Sequence, residues 1–173
     1  MNTIILYVSQ TGFTEQYARW LAEDLSCDCL PYARQKEVNF DRYEAVIYGS
    51  WRHAGQIQKI HWFNRLLPEW KTKKIALFAV GAMPADSPEA KAVLTQNLTS
   101  EACCPVAAFY LPGGLRYDRM PMASRWMMKA FSSMIAKKKD KTDQEEEMAK
   151  WIGRSYDLSD RAYINPIVEA IRD

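Results

Sequence analysis

The chain has 173 residues, 48% apolar and 25% charged, with 23 Lys/Arg against 21 Asp/Glu for a net charge of +2. That length suits a single α/β domain, residues 1–173, with a core of its own, and the balance excludes disordered and fibrous classes. No apolar run nears the roughly 20 residues that span a bilayer and no leader pattern opens the chain, so the expected location is the cytoplasm.

Residues 3–8 form a buried-strand run that breaks into Ser9-Gln10-Thr11-Gly12-Phe13-Thr14. A helix follows, in which Tyr17, Leu21 and Leu25 recur every four residues. Such a junction aims the unpaired N–H groups of the first helical turn, and the positive end of the helix dipole, at one spot. Ser9, Thr11 and Thr14 add hydroxyl donors, and Gly12 allows close approach of the backbone. The loop carries no Lys or Arg and is not the GxxxxGK[ST] of a nucleoside triphosphatase. It suits one terminal phosphate held by neutral donors; the alternative is an ordinary capped helix start.

Further strands are expected at 27–32, 44–50, 74–80 and 106–112. Ala45-Val46-Ile47-Tyr48-Gly49 and Ile75-Ala76-Leu77-Phe78-Ala79-Val80 are near-continuous apolar runs, as in strands covered on both faces. Ile57, Ile60, Phe63 and Leu67 mark a second helix. Ser87-Pro88-Glu89 opens a third, over 87–99, with a cap and a proline at its first position. Alternation of strand and helix implies right-handed crossovers and a parallel sheet. The expected architecture is an α/β doubly wound parallel sheet of five strands, order 2-1-3-4-5, binding ligands at the carboxyl ends of its strands.

Two of those ends carry ligand-suited loops. After the third strand come Ser50, Trp51, Arg52, His53, Ala54 and Gly55, which offer a stacking face, donors and positive charge to a planar heterocycle. After the fourth come Gly81, Ala82 and Met83, small enough to pass close to it. Each has a plain structural alternative: a core tryptophan with a solvated arginine, and an ordinary strand-to-helix turn. Tyr7, Tyr17, Trp20 and Trp62 read as core or surface aromatics.

Beyond Pro112-Gly113-Gly114 the chain inserts residues 115–156 before its closing helix. Residues 115–141 hold eight Lys/Arg and two Asp/Glu, so a mildly acidic body carries a basic arm rich in Met and Trp. Met120, Met122, Met127, Met128 and Met134 are either packing or an adaptable surface for a flat apolar ligand. With Arg116, Arg119, Arg125, Lys129 and Lys137-Lys138-Lys139 the arm resembles a membrane-surface helix, with a partner or dimer contact as the equal alternative. Residues 143–152 read as a charged helix and 159–172 as the closing helix, kinked at Pro166. Base-reading residues in a basic groove are missing, which argues against nucleic acid. Cys27, Cys29, Cys103 and Cys104 lack metal or redox spacing and are expected as reduced thiols. No nucleophile–base pair stands out, so neither a catalytic residue nor a metal ligand is assigned.

Ser9-Gln10-Thr11-Gly12-Phe13-Thr14 resembles the [ST]-x-T-G-x-T phosphate loop of flavodoxins, which implies FMN as the cofactor and the two later loops as holders of its ring. The third-strand loop and Gly113-Gly114-Leu115-Arg116-Tyr117 resemble the G-[AS]-[SW]-x-R-x-G-type loop and G-x-L-R-Y of protoporphyrinogen dehydrogenases of the flavodoxin class, and the likeness implies a flavodoxin-like fold. That resemblance covers nearly the whole chain and implies oxidoreduction of a quinone- or porphyrinogen-like small molecule, with quinone and membrane contact through 115–141. The chain departs from that group at Trp51-Arg52-His53-Ala54, in the acidic run Asp143-Gln144-Glu145-Glu146-Glu147 and at Pro166. The competing readings are a flavodoxin-type electron carrier without its own substrate and a flavin-free binding module.

Overall fold

A computed structural model of the chain describes residues 1–98 and 104–173; Cys103 and the last residue of the predicted 87–99 helix lie outside them. The elements in chain order are β1 (Thr3–Val8), α1 (Phe13–Leu25), β2 (Asp28–Pro31), β3 (Ala45–His53), β4 (Gln56–Ile57), α2 (Ile60–Leu66), β5 (Lys74–Gly81), α3 (Pro88–Asn97) and β6 (Ala107–Pro112). Then come β7 (Gly114–Leu115), α4 (Met122–Lys137), α5 (Asp143–Trp151), β8 (Tyr156–Asp157) and α6 (Asn165–Arg172).

The central sheet runs β2-β1-β3-β5-β6, all parallel. This is the expected 2-1-3-4-5 order once β4, a two-residue antiparallel addition to β3, is set apart. The reason lies in the alternation of the strand side chains, which point to opposite faces and are apolar on both. Ile5, Ile47 and Phe78 face α1 and α6, where Tyr17, Leu21, Ile164, Ile167 and Ile171 cover them. Ile4, Leu6, Val46, Tyr48, Ile75 and Leu77 face α2 and α3, where Phe63, Leu67, Trp70 and Val93 do so. Register follows the same rows: Ile5 pairs with Ile47, and Ile47 with Ala76. Tyr17 lies in the first core and Trp62 in an aromatic cluster with Tyr32, Phe40, Tyr48 and Trp70.

Three expectations are corrected. The strict alternation of strand and helix lapses between β2 and β3, where only two 3-10 turns, Tyr32–Glu37 and Phe40–Arg42, make the crossover. Ile57 belongs to β4 and not to the second helix, which ends in a 3-10 turn through Trp70. Pro166 does not kink the last helix; it sits in the first turn of α6, where its missing N–H has no intrahelical acceptor to lose. Ahead of it Arg161–Ile164 form a 3-10 turn capped by the Asp160 carboxylate.

The insertion is a folded unit. Its two ends meet as the antiparallel ribbon β7–β8, and Leu115, Ile135 and Ile152 form a small core of their own. Leu158 N–H then donates to Gly113 O at 2.7 Å, returning the chain to the sheet. Among the described residues no helix is long and apolar enough to cross a membrane.

Candidate functional site

β1 delivers the chain to the Ser9–Thr14 loop at the carboxyl edge of the sheet. Gly12 caps α1 with φ +97°, a left-handed conformation that costs an L side chain energy and glycine little. Its N–H donates to Ser9 Oγ at 3.1 Å, which closes the loop and leaves the Ser9 hydroxyl proton to point elsewhere. Thr14 is buried at the start of the helix. The helix cannot drift, because Tyr17 Oη donates to Pro112 O at 2.6 Å and accepts from Asp160 N–H at 3.3 Å. Burial raises the Tyr17 pKa, so the phenol remains a donor.

The second wall differs from its expected form. Residues 51–53 continue β3, and Ala54 (φ +47°) and Gly55 (φ +82°) turn the chain back into β4. A two-residue turn with both central φ positive matches the twist of a hairpin. Asn97, at the end of α3, fastens it: the side chain accepts from Ile57 N–H (2.9 Å) and donates to Gly55 O (2.9 Å). Trp51 is half-buried, with the His53 ring 5.6 Å away. Ser50 is fully buried, and its hydroxyl, like that of Tyr48, donates to Gln58 O at 2.8 Å. Its proton is thereby committed to the hairpin.

The third wall is Gly81–Met83. Tyr110 Oη meets both the N–H and the carbonyl of Met83 at 3.2 Å, and Tyr156 Oη donates to Ala82 O at 2.7 Å. Burial pushes the Tyr156 phenol up to about 12, which keeps its proton on that bond at neutral pH.

These walls enclose one cavity of about 800 Å³. Ser9, Gln10, Thr11, Phe13 and Thr14 line it on one side, Trp51, Arg52, His53 and Ala54 on a second, and Gly81, Ala82 and Met83 on a third. Three predicted site residues do not line it: Gly12, Ser50 and Gly55. The insertion forms a roof. The sequence left two roles open for its methionines, packing or a ligand surface, and several take a place on the cavity wall. Met120, Met127, Met128 and Phe131 come down from α4 and its approach, with Trp151 and Ile152 from the end of α5. Spacing alone could not separate them from Met122, Trp126 and Met134, which do not line the cavity and are more exposed than Met127, Phe131 and Trp151.

The expected basic arm is also partly turned inward. Arg116 lies over the Phe13 ring at 3.9 Å and donates to Thr11 O (3.4 Å), Gln16 Oε1 (3.1 Å) and Asp157 (2.9 Å). Arg119 closes on Gly12 from the same side. Half-buried Arg125 donates to Asp118 O. The Ser9–Thr14 loop, neutral in its own sequence, thus has two guanidinium groups beside it.

Cys27 and Cys29 are half-buried free thiols. Burial, with Cys29 and Asp28 nearby, pushes the Cys27 thiol up to about 12; burial likewise takes Cys29 to about 11. Both remain protonated at neutral pH. Among the described residues no cluster of His, Cys, Asp or Glu could hold a metal.

The donor set fits FMN. A glycine with positive φ, three hydroxyls and the open first turn of a 13-residue helix suit a single terminal phosphate. Trp51 and the small Gly81–Ala82 stretch flank space for the planar ring.

The family model described as Flavodoxin domain matches residues 4–143. No curated protein matches the sequence. Among solved structures, the Trp repressor binding protein from Bacillus subtilis is 12% identical, with a TM-score of 0.49 over 81% of this chain and 100% of that one. The two-electron reduced flavodoxin of Megasphaera elsdenii is 19% identical, with a TM-score of 0.49 over 70% and 89%. A flavoprotein in complex with FMN from Lactobacillus acidophilus is 14% identical, with a TM-score of 0.44 over 64% and 91%. The chain belongs to the flavodoxin domain family.

Proposed function

We propose that the chain is an FMN-dependent oxidoreductase with a small-molecule substrate of its own, a flat and largely apolar one such as a quinone or a porphyrinogen. The observation that carries this reading is the roof. A carrier that docks onto protein partners needs no apolar side chains above its flavin edge, whereas here Met127, Met128, Phe131 and Trp151 line the cavity above the three loops while keeping part of their own surface exposed. Bound FMN supplies the electron transfer, and the protein contributes position and surroundings. Ser9, Thr11, Thr14 and the helix start would anchor the phosphate. Trp51 and the Gly81–Met83 backbone would set the ring plane, and Arg52 and His53 would hold positive charge or donors along its edge. The thioether and aromatic side chains of the roof can re-pack around a flat ligand and keep water from it.

The resemblance to protoporphyrinogen dehydrogenases supports the same substrate class. The exposed Met122, Trp126 and Met134 on the outer face of α4, near Lys129 and Lys137–Lys139, support a peripheral membrane contact, where such substrates reside.

The deciding experiment is turnover without a protein partner. FMN-loaded protein, reduced chemically, should be reoxidised by a soluble quinone over many cycles, and Phe131→Ala should raise KM several-fold. A single stoichiometric reoxidation no faster than that of free FMN would leave the electron carrier as the better account.

A further inference from the structure

We propose that Arg119, backed by Arg116, is the cationic half of the phosphate site and makes the chain selective for a flavin that carries a phosphate. The proposal rests on the FMN reading above and adds two residues of the insertion to it.

A phosphate monoester carries a charge of about −1.5 to −2 at neutral pH, and a helix N-terminus offsets roughly half a charge. The loop itself adds only neutral donors, so most of the anion is left uncompensated. The insertion makes up the difference. Tyr117–Arg119 form a 3-10 turn that begins at Arg116, and Arg119 N–H donates to Arg116 O at 3.1 Å. Side chains three apart on such a turn eclipse, so both guanidinium groups leave on the same side. Their Nη1 atoms stand 3.0 Å (Arg119) and 3.1 Å (Arg116) from where a Cβ on residue 12 would lie. Glycine at that position is what admits them.

The turn is fixed from behind, with Tyr117 N–H donating to Ser155 Oγ at 3.0 Å and Tyr117 Oη to Ile152 O. The two arginines are not equivalent. Arg116 shares its charge with Asp157 in an ion pair of 2.9 Å. Arg119 is exposed and, among the described residues, makes no ion pair. Glu15, the acid of the first helical turn, is tied to Arg19 at 2.6 Å. The uncompensated positive charge beside the loop is therefore that of Arg119, delivered by the same insertion that roofs the cavity.

The test titrates FMN and riboflavin into the full apo-chain, followed by flavin fluorescence, at low and at physiological salt. Arg119→Gln should raise the FMN Kd about tenfold, as for one lost charge-assisted hydrogen bond, and leave the riboflavin Kd unchanged. It should also flatten the salt dependence of FMN binding. Arg119→Lys should keep that salt dependence and most of the affinity. An unchanged FMN Kd in Arg119→Gln, or equal weakening of both flavins, would overturn the proposal. So would a wild-type chain that binds the two flavins equally, although the flavin reading itself would survive. A wild-type chain that binds neither flavin would remove the FMN reading and this proposal with it.

Discussion

Single residues carry the constraints that make the site. Gly49 shows how tight they are: a Cβ there would lie 2.0 Å from the tip of the Phe78 ring, which is completely buried. That ring cannot swing aside without disturbing the core between the sheet and α1. Gly49→Ala should therefore destabilise the fold by about 1–3 kcal/mol, the range of overpacked cores. Urea unfolding checks this, and an unchanged midpoint would mean that the core yields more easily than its packing implies. Gly12 and Ser9 were legible in the sequence because their chemistry is local, a positive φ and a hydroxyl three residues away. The partner of Ser50 was not legible for the opposite reason: the Gln58 carbonyl approaches only because β3 folds back on itself.

Among the elements, the β7–β8 ribbon governs the insertion. Its two backbone pairs are reinforced by the Arg116–Asp157 ion pair. Burial acts to raise the Asp157 pKa, but hydrogen bonds from Ser159 and from Arg116 outweigh it and hold the carboxyl below its usual value of 3.8. A depressed carboxyl contributes stability at pH above the unfolded value and loses it as pH falls through the folded one. The ribbon should therefore be fully closed at neutral pH and loosen only below about pH 4. Pepsin cleavage within 115–156 should rise there, and Asp157→Asn should make cleavage less dependent on pH. An arm cleaved equally fast at pH 5 and pH 3 would show that this ion pair does not hold it. The ribbon itself was not legible, since two strands of two residues each leave no periodicity to read. The five long strands were legible because each is apolar on both faces.

At the scale of the whole molecule, the charge is divided between an acidic body and a basic arm, and the arm is divided again between its two faces. The inner face supplies the roof and the guanidinium pair. The outer face exposes Met122 (67%), Trp126 (69%) and Met134 (61%), too much apolar surface for an unpartnered helix. If that face meets a membrane, the FMN-loaded protein should sediment with vesicles of anionic lipid, less so at high salt. Trp126→Ala should lower the partition coefficient about tenfold through lost apolar burial. Failure to bind anionic vesicles at low salt would return the face to a protein partner or a second copy of the chain. By itself the sequence determined the parallel sheet and its strand order, because runs that are apolar on both faces and alternate with helices leave few other arrangements. Only the tertiary structure decided that the third-strand loop is a hairpin pinned by Asn97, that half of the arm is a roof, and that arginines more than a hundred positions away stand beside Gly12. Those outcomes depend on contacts between distant segments, which neither composition nor periodicity records.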